Sequence, residues 1–211
     1  MKLSESELKK IEDTIKKIEG MTRGEVVPVL VRQSRDYPEV GWMLICLGAL
    51  SSGILSYVAH TFWGASWDVG SVEFALEILV GAAAGWAVSL IPAARRWMLG
   101  AEDLTAAVSF RASAEFTRHG VMDTQDRCGV LLLVSLFEHR AEILADRGIH
   151  SQVPEGYWKE CLDRMMAKVK PEGLSSALCS GITELGALLA EKFPREAGST
   201  NELADHLRQD G

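Results

Sequence analysis

The sequence predicts an α/β domain, built as a small mixed sheet flanked by helices, with a two-helix transmembrane hairpin inserted after the first strand. Two long apolar stretches interrupt a chain that is otherwise rich in charged residues. A short piece with one helical and one strand pattern precedes them, and a larger piece with both patterns follows. Because one helix and one strand offer too little core to fold alone, we expect the two outer pieces to form one domain.

The first piece, residues 1–38, predicts a helix followed by a strand. Ser4 and Glu7 have the spacing of a capping box, and the apolar residues that follow lie on one helical face: Leu8, Ile11, Ile15 and Ile18. The β-branched residues within 25–32 favour a strand. Because Pro28 cannot donate a backbone hydrogen bond, we expect this strand to lie at an edge of the sheet or to carry a bulge.

Residues 39–97 form the predicted hairpin. The stretch 40–63 contains no Asp, Glu, Lys or Arg, and the stretch 74–94 contains one such residue, Glu77. Each is long enough to cross a hydrocarbon core of about 30 Å at about 1.5 Å per residue. The GxxxG pattern Gly81–Gly85 predicts close packing between the spans or with another copy of the chain.

Basic residues predict the orientation of this hairpin. Eight Lys and Arg residues precede the first span, residues 64–73 between the spans contain none, and Arg95 and Arg96 follow the second span. The positive-inside rule then places both termini and the soluble domain in the cytoplasm. Glu77 lies about one turn from the outer end of its span, so we expect its carboxylate to reach the interface rather than to relay protons.

The last piece, residues 98–211, supplies the remainder of the domain and a short C-terminal tail. Residues 102–118 are rich in Ala and lack Gly and Pro, which favours a helix. The apolar run 128–136 is typical of a strand covered on both faces, and 139–146 is its predicted hairpin partner. The remaining predicted elements are two helices and a final helical turn: 155–169, 174–192, and a turn holding Leu203 and Leu207.

Charge and motif content exclude several classes of function. A net charge of -7 and a pI of about 5.3 argue against a nucleic-acid partner, because such proteins need a surface rich in Lys and Arg. The chain has no Walker loop and no GxGxxG motif. Its four cysteines lack metal-binding spacing, so we expect them to be reduced. No catalytic residue can be assigned, and no cofactor is certain.

A group of carboxylates is the best candidate for a chemical site. Glu25 begins the first predicted strand, Asp123 and Asp126 precede the second, and Asp146 ends the third. If these strand ends meet, the carboxylates could bind a hard cation, Ca²⁺ or Mg²⁺. The alternative is that the Asp residues cap turns. Arg127 could bind a phosphate or pair with these acids.

Several motifs resemble those of the TPM domain family, and in particular its bacterial membrane-anchored proteins. They are Thr22-Arg-Gly-Glu25, Ala114-Glu-Phe116, the stretch from Asp123 to Ile149, Trp158, GITELGALLAEKFP at 181–194, and Asn201-Glu-Leu-Ala-Asp205. The last motif usually reads NELPD, so Ala204 departs from the pattern. The resemblance implies a small mixed sheet sandwiched by helices, and a location at the bacterial inner membrane. It also implies a contested function, since some relatives are described as acid phosphatases and others as partners in the assembly or repair of membrane complexes.

These observations lead to three functional hypotheses. The first is a membrane-anchored cytoplasmic TPM-like domain that acts as a binding or assembly module, with a membrane-protein partner or with self-association through the spans. The second is a metal-dependent acid phosphatase that uses the carboxylate group. The third, a small oligomeric channel or transporter, depends on Glu77 and the small-residue faces, since two spans cannot enclose a pathway without oligomerisation.

Overall fold

The computed structural model describes residues 3–62, 71–124, 126–154, 156–196, 203 and 206–210. Trp63, at the end of the predicted first span, and most of the motif at 201–205 lie outside the described residues. The chain divides into an α/β unit, residues 1–35 with 104–211, and a hairpin unit, residues 36–103.

The α/β unit contains a mixed sheet of four strands, which confirms the predicted fold class. The strands are β1 (Glu25–Val31), β2 (Gly129–Ser135), β3 (Arg140–Ala145) and β4 (Arg208–Asp210), and they lie in the order β3-β2-β1-β4. β1 runs parallel to both of its neighbours, whereas β3 runs antiparallel to β2. The predicted hairpin of β2 and β3 is therefore confirmed, and β3 is an edge strand.

The expectation that β1 is an edge or bulged strand is wrong, because β1 lies between β2 and β4. The amide of Glu25 donates to the carbonyl of Cys128, next to β2. Backbone groups alternate sides along a strand, so the nitrogen of Pro28 faces the side of β4. β4 pairs with Val29–Val31, one residue beyond Pro28, and the missing N–H therefore interrupts no ladder.

The predicted final helical turn, which holds Leu203 and Leu207, lies largely outside the described residues. Leu207 is buried, and residues 208–210, for which the sequence predicts no strand, extend along β1. The polar segment Arg208–Asp210 has no alternating apolar pattern, so its strand conformation comes from pairing with a buried neighbour.

Three helices cover one face of the sheet: α1 (Glu5–Glu19), α7 (Tyr157–Glu172) and α8 (Leu174–Lys192). The predicted capping box of α1 is present, with the amide of Glu7 donating to Ser4 Oγ at 3.3 Å. The predicted stripe of α1 is buried at Ile11, Ile15 and Ile18. Gly186 of α8 allows the close approach of Ile18, since a Cβ at Gly186 would overlap that side chain.

The opposite face of the sheet packs against α5 (Ala101–Arg118). Val108 and Ala112 of α5 form a second apolar cluster with the side chains that β1 and β2 direct toward this face of the sheet, among them Val29 and Leu131. A short helix, α6 (Arg147–His150), begins directly after β3. The order of these layers is helix, sheet, helix, as predicted.

The hairpin unit contains α2 (Pro38–Phe62), α3 (Ser71–Ser89) and the short α4 (Pro92–Trp97). α2 and α3 are long and apolar enough to cross a membrane. The second apolar helix ends at Ser89 rather than at residue 94, because Pro92 begins a new helix.

Glycines set the packing between α2 and α3. A Cβ at Gly81 would overlap the carbonyl oxygen of Gly48, and a Cβ at Gly85 would overlap the carbonyl oxygen of Leu44. The predicted small-residue face therefore packs α3 against α2 within one chain.

Candidate functional site

The four predicted carboxylates lie around the start of β1 and β2 and the end of β3. Glu25 is the first residue of β1 and is buried, and Asp123 ends a 3-10 turn before β2. Asp126 accepts a hydrogen bond of 3.2 Å from Arg23, so its charge is partly neutralised. Asp146 follows β3 and is buried.

Asp146 serves as the N-cap of α6. Its Oδ1 accepts from the amide of Arg147 at 2.6 Å, and its Oδ2 lies 3.8 Å from Nη1 of Arg127. A side-chain oxygen at this position satisfies a backbone donor that the helix leaves unpaired. Arg127, for which the sequence allows either phosphate binding or pairing with these acids, is mostly exposed and faces this carboxylate.

The described residues contain no group of three or more His, Cys, Asp or Glu side chains placed to hold a metal ion. In the structure Asp146 lies next to Arg127, and Asp126 forms an ion pair with Arg23. The cation site formed by Glu25, Asp123, Asp126 and Asp146 therefore stays a prediction, as does phosphate binding by Arg127.

Sequence reasoning missed a buried carboxylate on α5, Glu115. Its Oε1 lies 2.8 Å from Arg111 and 3.5 Å from Arg118, and its Oε2 lies 3.0 Å from Nε2 of His119. Burial lowers the pKa of His119, and the positive charge of Arg208 on β4 lowers it further. Arg111, Glu115 and His119 follow each other at i,i+4 spacing, a signal that could have been read from the sequence.

A second buried carboxylate, Glu138, lies where β1 and β2 end. It accepts hydrogen bonds from the hydroxyl of Ser135 and, at 3.0 Å, from the amide of Ser34. Ser135 is itself buried, so its hydroxyl is tied to this carboxylate and is not presented to a substrate. Glu138 thus fixes the turn between β2 and β3 to the loop that follows β1.

An open cleft of about 380 Å³ runs along the edge strand β3. Thr105 and Val108 of α5 line one wall, and Leu162 and Met166 of α7 line the other. The residues Arg140–Glu142 form its floor. Because α5 and α7 cover opposite faces of the sheet, the cleft crosses the edge of the sheet at β3.

The backbone of β3 presents hydrogen-bonding groups along this edge. The amide of Asp146 donates to the carbonyl of Gly129 at 2.9 Å, so the even-numbered residues of β3 direct their backbone groups toward β2. The N–H and C=O groups of Ala141 and Ile143 consequently face away from β2. Within the described residues no hydrogen bond occupies them.

Four charged side chains surround the cleft: Arg140 and Glu142 on β3, and Lys159 and Asp163 on α7. Nε of Arg140 is buried and has no hydrogen-bond partner in the described part of the chain. Burial raises the pKa of Glu142, whose Oε1 accepts a long hydrogen bond of 3.5 Å from Ser109. A partner that brings opposite charges would satisfy both groups.

The hairpin unit carries a separate, apolar groove of about 350 Å³. It lies between α2 and α3, and Leu50, Ile54, Tyr57 and Phe74 contribute to its lining. Its lining is apolar throughout, which suits a hydrocarbon chain rather than a polar ligand.

Two comparisons with known proteins give matches. The family model of the TPM domain matches residues 93–188. The chain is also similar to the NMR structure of the BA42 protein from the psychrophilic bacterium Bizionia argentinensis, with a TM-score of 0.61 and 18% identity, over 100% of this chain and 97% of that chain. At this identity the likeness shows the fold alone. No curated protein matches the chain by sequence.

Proposed function

Because the chain carries a TPM domain, as its sequence motifs predict and the family match over residues 93–188 confirms, we propose a role as a membrane-anchored binding or assembly module. The hairpin unit is the anchor, and the α/β unit faces the cytoplasm at the bacterial inner membrane. The partner is a membrane protein or another copy of the chain. The cleft at β3 is the observation that carries the binding role.

The dimensions and surface of the hairpin unit support its role as an anchor. α2 has 25 residues and α3 has 19, lengths of about 37 Å and about 28 Å at about 1.5 Å per residue. Large apolar side chains on both helices are exposed, including Leu50, Leu55 and Val80. In water this surface would associate or aggregate, whereas lipid chains would cover it without cost.

The base of the hairpin supports insertion as a pair of antiparallel helices. Nη2 of Arg95 in α4 donates to the carbonyl of Tyr37, just before α2, at 3.1 Å. The chain therefore enters and leaves the hairpin at neighbouring points. The basic residues that flank these points, and the absence of basic residues from 64–73, support a cytoplasmic location for this end.

The cleft supports a binding role because it joins two features of peptide-recognition sites. The edge of β3 offers unpaired backbone groups that can extend the sheet, and the cleft offers charged and apolar side chains that can select a partner. A volume of about 380 Å³ is also within the range of ligand pockets.

Photo-crosslinking in intact cells tests this proposal. A photoreactive amino acid at Thr105 places the crosslinker in the cleft, and the same amino acid at Ser113 places it on an exposed part of α5 outside the lining. We expect a discrete protein adduct from the Thr105 position and none from Ser113. The absence of any adduct at Thr105, or equal adducts at both positions, would overturn the binding role of the cleft.

A further inference from the structure

We propose that the occupant of the cleft is the β3 strand of a second copy of this chain, paired antiparallel about a two-fold axis at Ala141. This inference rests on the proposed function of the cleft and names its partner. It joins two four-stranded sheets into one continuous sheet. The interface is isologous, so every contact must be satisfied by the same patch on both copies.

The backbone of β3 fits such a pairing. Ala141 and Ile143 direct their N–H and C=O groups away from β2, and an antiparallel partner bonds to residues of this class. An axis at Ala141 pairs this residue with itself, so its N–H and C=O bond across the axis. Ile143 then lies opposite His139 of the second copy, which belongs to the turn before β3 and has a φ of 52°, so Ala141 carries the backbone pairing.

Charge selects this register among the possible ones. Arg140 and Glu142 project from the same face of β3, because residues two apart on a strand share a face. An axis at Ala141 places Arg140 opposite Glu142 of the second copy, and does so twice. An axis at Arg140 or at Glu142 would place like charges opposite each other, which is unfavourable, and an axis at Ile143 would place Glu142 opposite the apolar Leu144.

The unsatisfied groups on β3 support the same partner. Nε of Arg140 is buried without a hydrogen-bond partner in the described residues, and Glu142 has one long hydrogen bond from Ser109. In the dimer each guanidinium meets a half-buried carboxylate, a charge-assisted pair that offsets the desolvation of both. The two groups form no ion pair with each other among the described residues, so both remain available to a second copy.

The helix beside β3 carries a second self-complementary pair. Lys159 and Asp163 lie one turn apart on α7, both are exposed and both line the cleft. A two-fold axis normal to the sheet sets the α7 helices of the two copies antiparallel. Lys159 then faces Asp163 of the second copy, again twice. Neither residue forms an ion pair within the described chain.

Anchoring favours this partner over a free peptide. Two copies held in one membrane by their hairpins share an orientation and a thin layer above the lipid, which raises their effective concentration. Arg140 and Glu142 also disfavour pairing with a strand that does not place opposite charges against them. The edge of β3 is therefore protected from unselective pairing.

Disulfide trapping in membranes tests the register. Paired residues of this class have Cα atoms about 5.5 Å apart, within disulfide range, so Ala141→Cys is expected to form a covalent dimer under mild oxidation. Ala145→Cys is the matched control, on the same face of the same strand. Its two copies would lie roughly 26 Å apart at about 3.3 Å per residue, and we expect no dimer. The control also reports any dimer formed by the native cysteines.

Charge exchange makes the test specific. In the Ala141→Cys background, Arg140→Glu or Glu142→Arg alone is expected to lower the dimer yield about tenfold, because each creates two like-charge pairs. Co-expression of the two variants with different tags should restore a mixed dimer, since each copy then supplies the charge that the other lacks. The combined variant Arg140→Glu with Glu142→Arg should also restore the dimer, which shows that neither change prevents folding.

The outcomes separate this inference from the proposed function. The β3 pairing is overturned if the dimer yield does not change with the charge substitutions. It is also overturned if co-expression of the two charge variants does not restore the dimer. If the Thr105 crosslinker captures a different protein in place of a second copy, the binding role stands and the self-pairing is overturned. If Thr105 captures nothing, both fail.

Discussion

The α/β unit and the hairpin unit place the same apolar residue types in opposite surroundings. Leu131 and Ile182 of the α/β unit have 0% of their surface exposed, whereas Leu50 and Ile54 of the hairpin unit have 63% and 64% exposed. Leu131 and Ile182 are packed in the interior of the α/β unit, where their burial stabilises the fold. Leu50 and Ile54 lie exposed on a helix that is long and apolar enough to cross a membrane, so exposure of apolar residues is concentrated in the hairpin unit.

The two units also differ in how their helices approach each other. In the α/β unit, large side chains such as Ile15 and Leu178 fill the space between helices and sheet. In the hairpin unit, Gly48, Gly81 and Gly85 bring two backbones together. Close backbone packing through small residues is typical of helices that associate in lipid, where no hydrophobic drive brings them together.

The largest expected difference comes from the same substitution in the two units. Leu131→Ala leaves a cavity at the centre of the sheet and should lower the free energy of unfolding by about 3 kcal/mol. Leu50→Ala should change it by less than about 0.5 kcal/mol, because this side chain contacts the surrounding solvent or lipid. Urea titrations of the full chain in mild detergent, followed by circular dichroism, measure both. Equal losses would contradict the assignment of Leu50 to a lipid-facing surface.

A matched pair of glycines tests the packing inside the hairpin unit. Gly81→Ala introduces a Cβ that overlaps the backbone of Gly48 and should destabilise the hairpin by about 1–3 kcal/mol. A Cβ at Gly41 meets nothing within 4 Å, so Gly41→Ala should stabilise α2 by about 0.5 kcal/mol. Thermal melts in detergent report both changes. An unchanged melting temperature for Gly81→Ala would show that α2 and α3 do not pack through this face.

A smaller effect is expected at Asp146, where the structure offers a cap and the sequence predicts a cation ligand. Asp146→Ala removes the N-cap of α6 and should cost about 1 kcal/mol, with or without added Ca²⁺. Melting of the parent and the variant in millimolar Ca²⁺ and in chelator compares the two roles. A Ca²⁺-dependent stabilisation that the variant loses would support the predicted cation site instead.

The smallest expected effect is a pH dependence from His119. Since burial lowers the pKa of this imidazole in the folded chain, the unfolded chain binds the proton more readily. The free energy of unfolding should therefore be greatest above about pH 6.5, the ordinary His pKa, and fall as the pH decreases below it. His119→Gln should reduce this acid-dependent loss by a few tenths of a kcal/mol, as expected for a partly exposed group. An unchanged slope in urea titrations between pH 7.5 and 5.5 would contradict this role.

Sequence reasoning succeeded where local patterns decide the structure. The capping box at Ser4 and Glu7 and the buried run of β2 both form as predicted, because the first depends on four neighbouring residues and the second on a continuous apolar stretch. It failed for β4, whose conformation depends on pairing with Val29–Val31 across the sheet. Pro28 was read correctly as a missing donor, but the side of the strand it faces became clear from the register.

The candidate site shows the same division. The carboxylates next to strand ends are visible in the sequence, but the pairing of Asp126 with Arg23 and of Asp146 with Arg127 depends on loop conformation. The cleft along β3 could not be predicted, because it needs α5 and α7 on opposite faces of one edge strand. Arg140 and Glu142 read in the sequence as ordinary surface charges. Both residues lie at the unpaired edge between those two helices, a placement that no local sequence pattern shows.

Thiol labelling in intact cells tests most directly the central claim, a membrane anchor with a cytoplasmic α/β unit. Ser66→Cys adds a thiol between the two apolar helices, and Ser113→Cys adds one on an exposed part of α5. The parent chain controls for the native thiols, and burial raises the pKa of Cys161 to about 12, which keeps it unreactive. We predict that a membrane-impermeant maleimide labels Ser66→Cys in intact cells and labels Ser113→Cys only after the cells are permeabilised. Labelling of Ser113→Cys in intact cells, with Ser66→Cys protected, would contradict the claim.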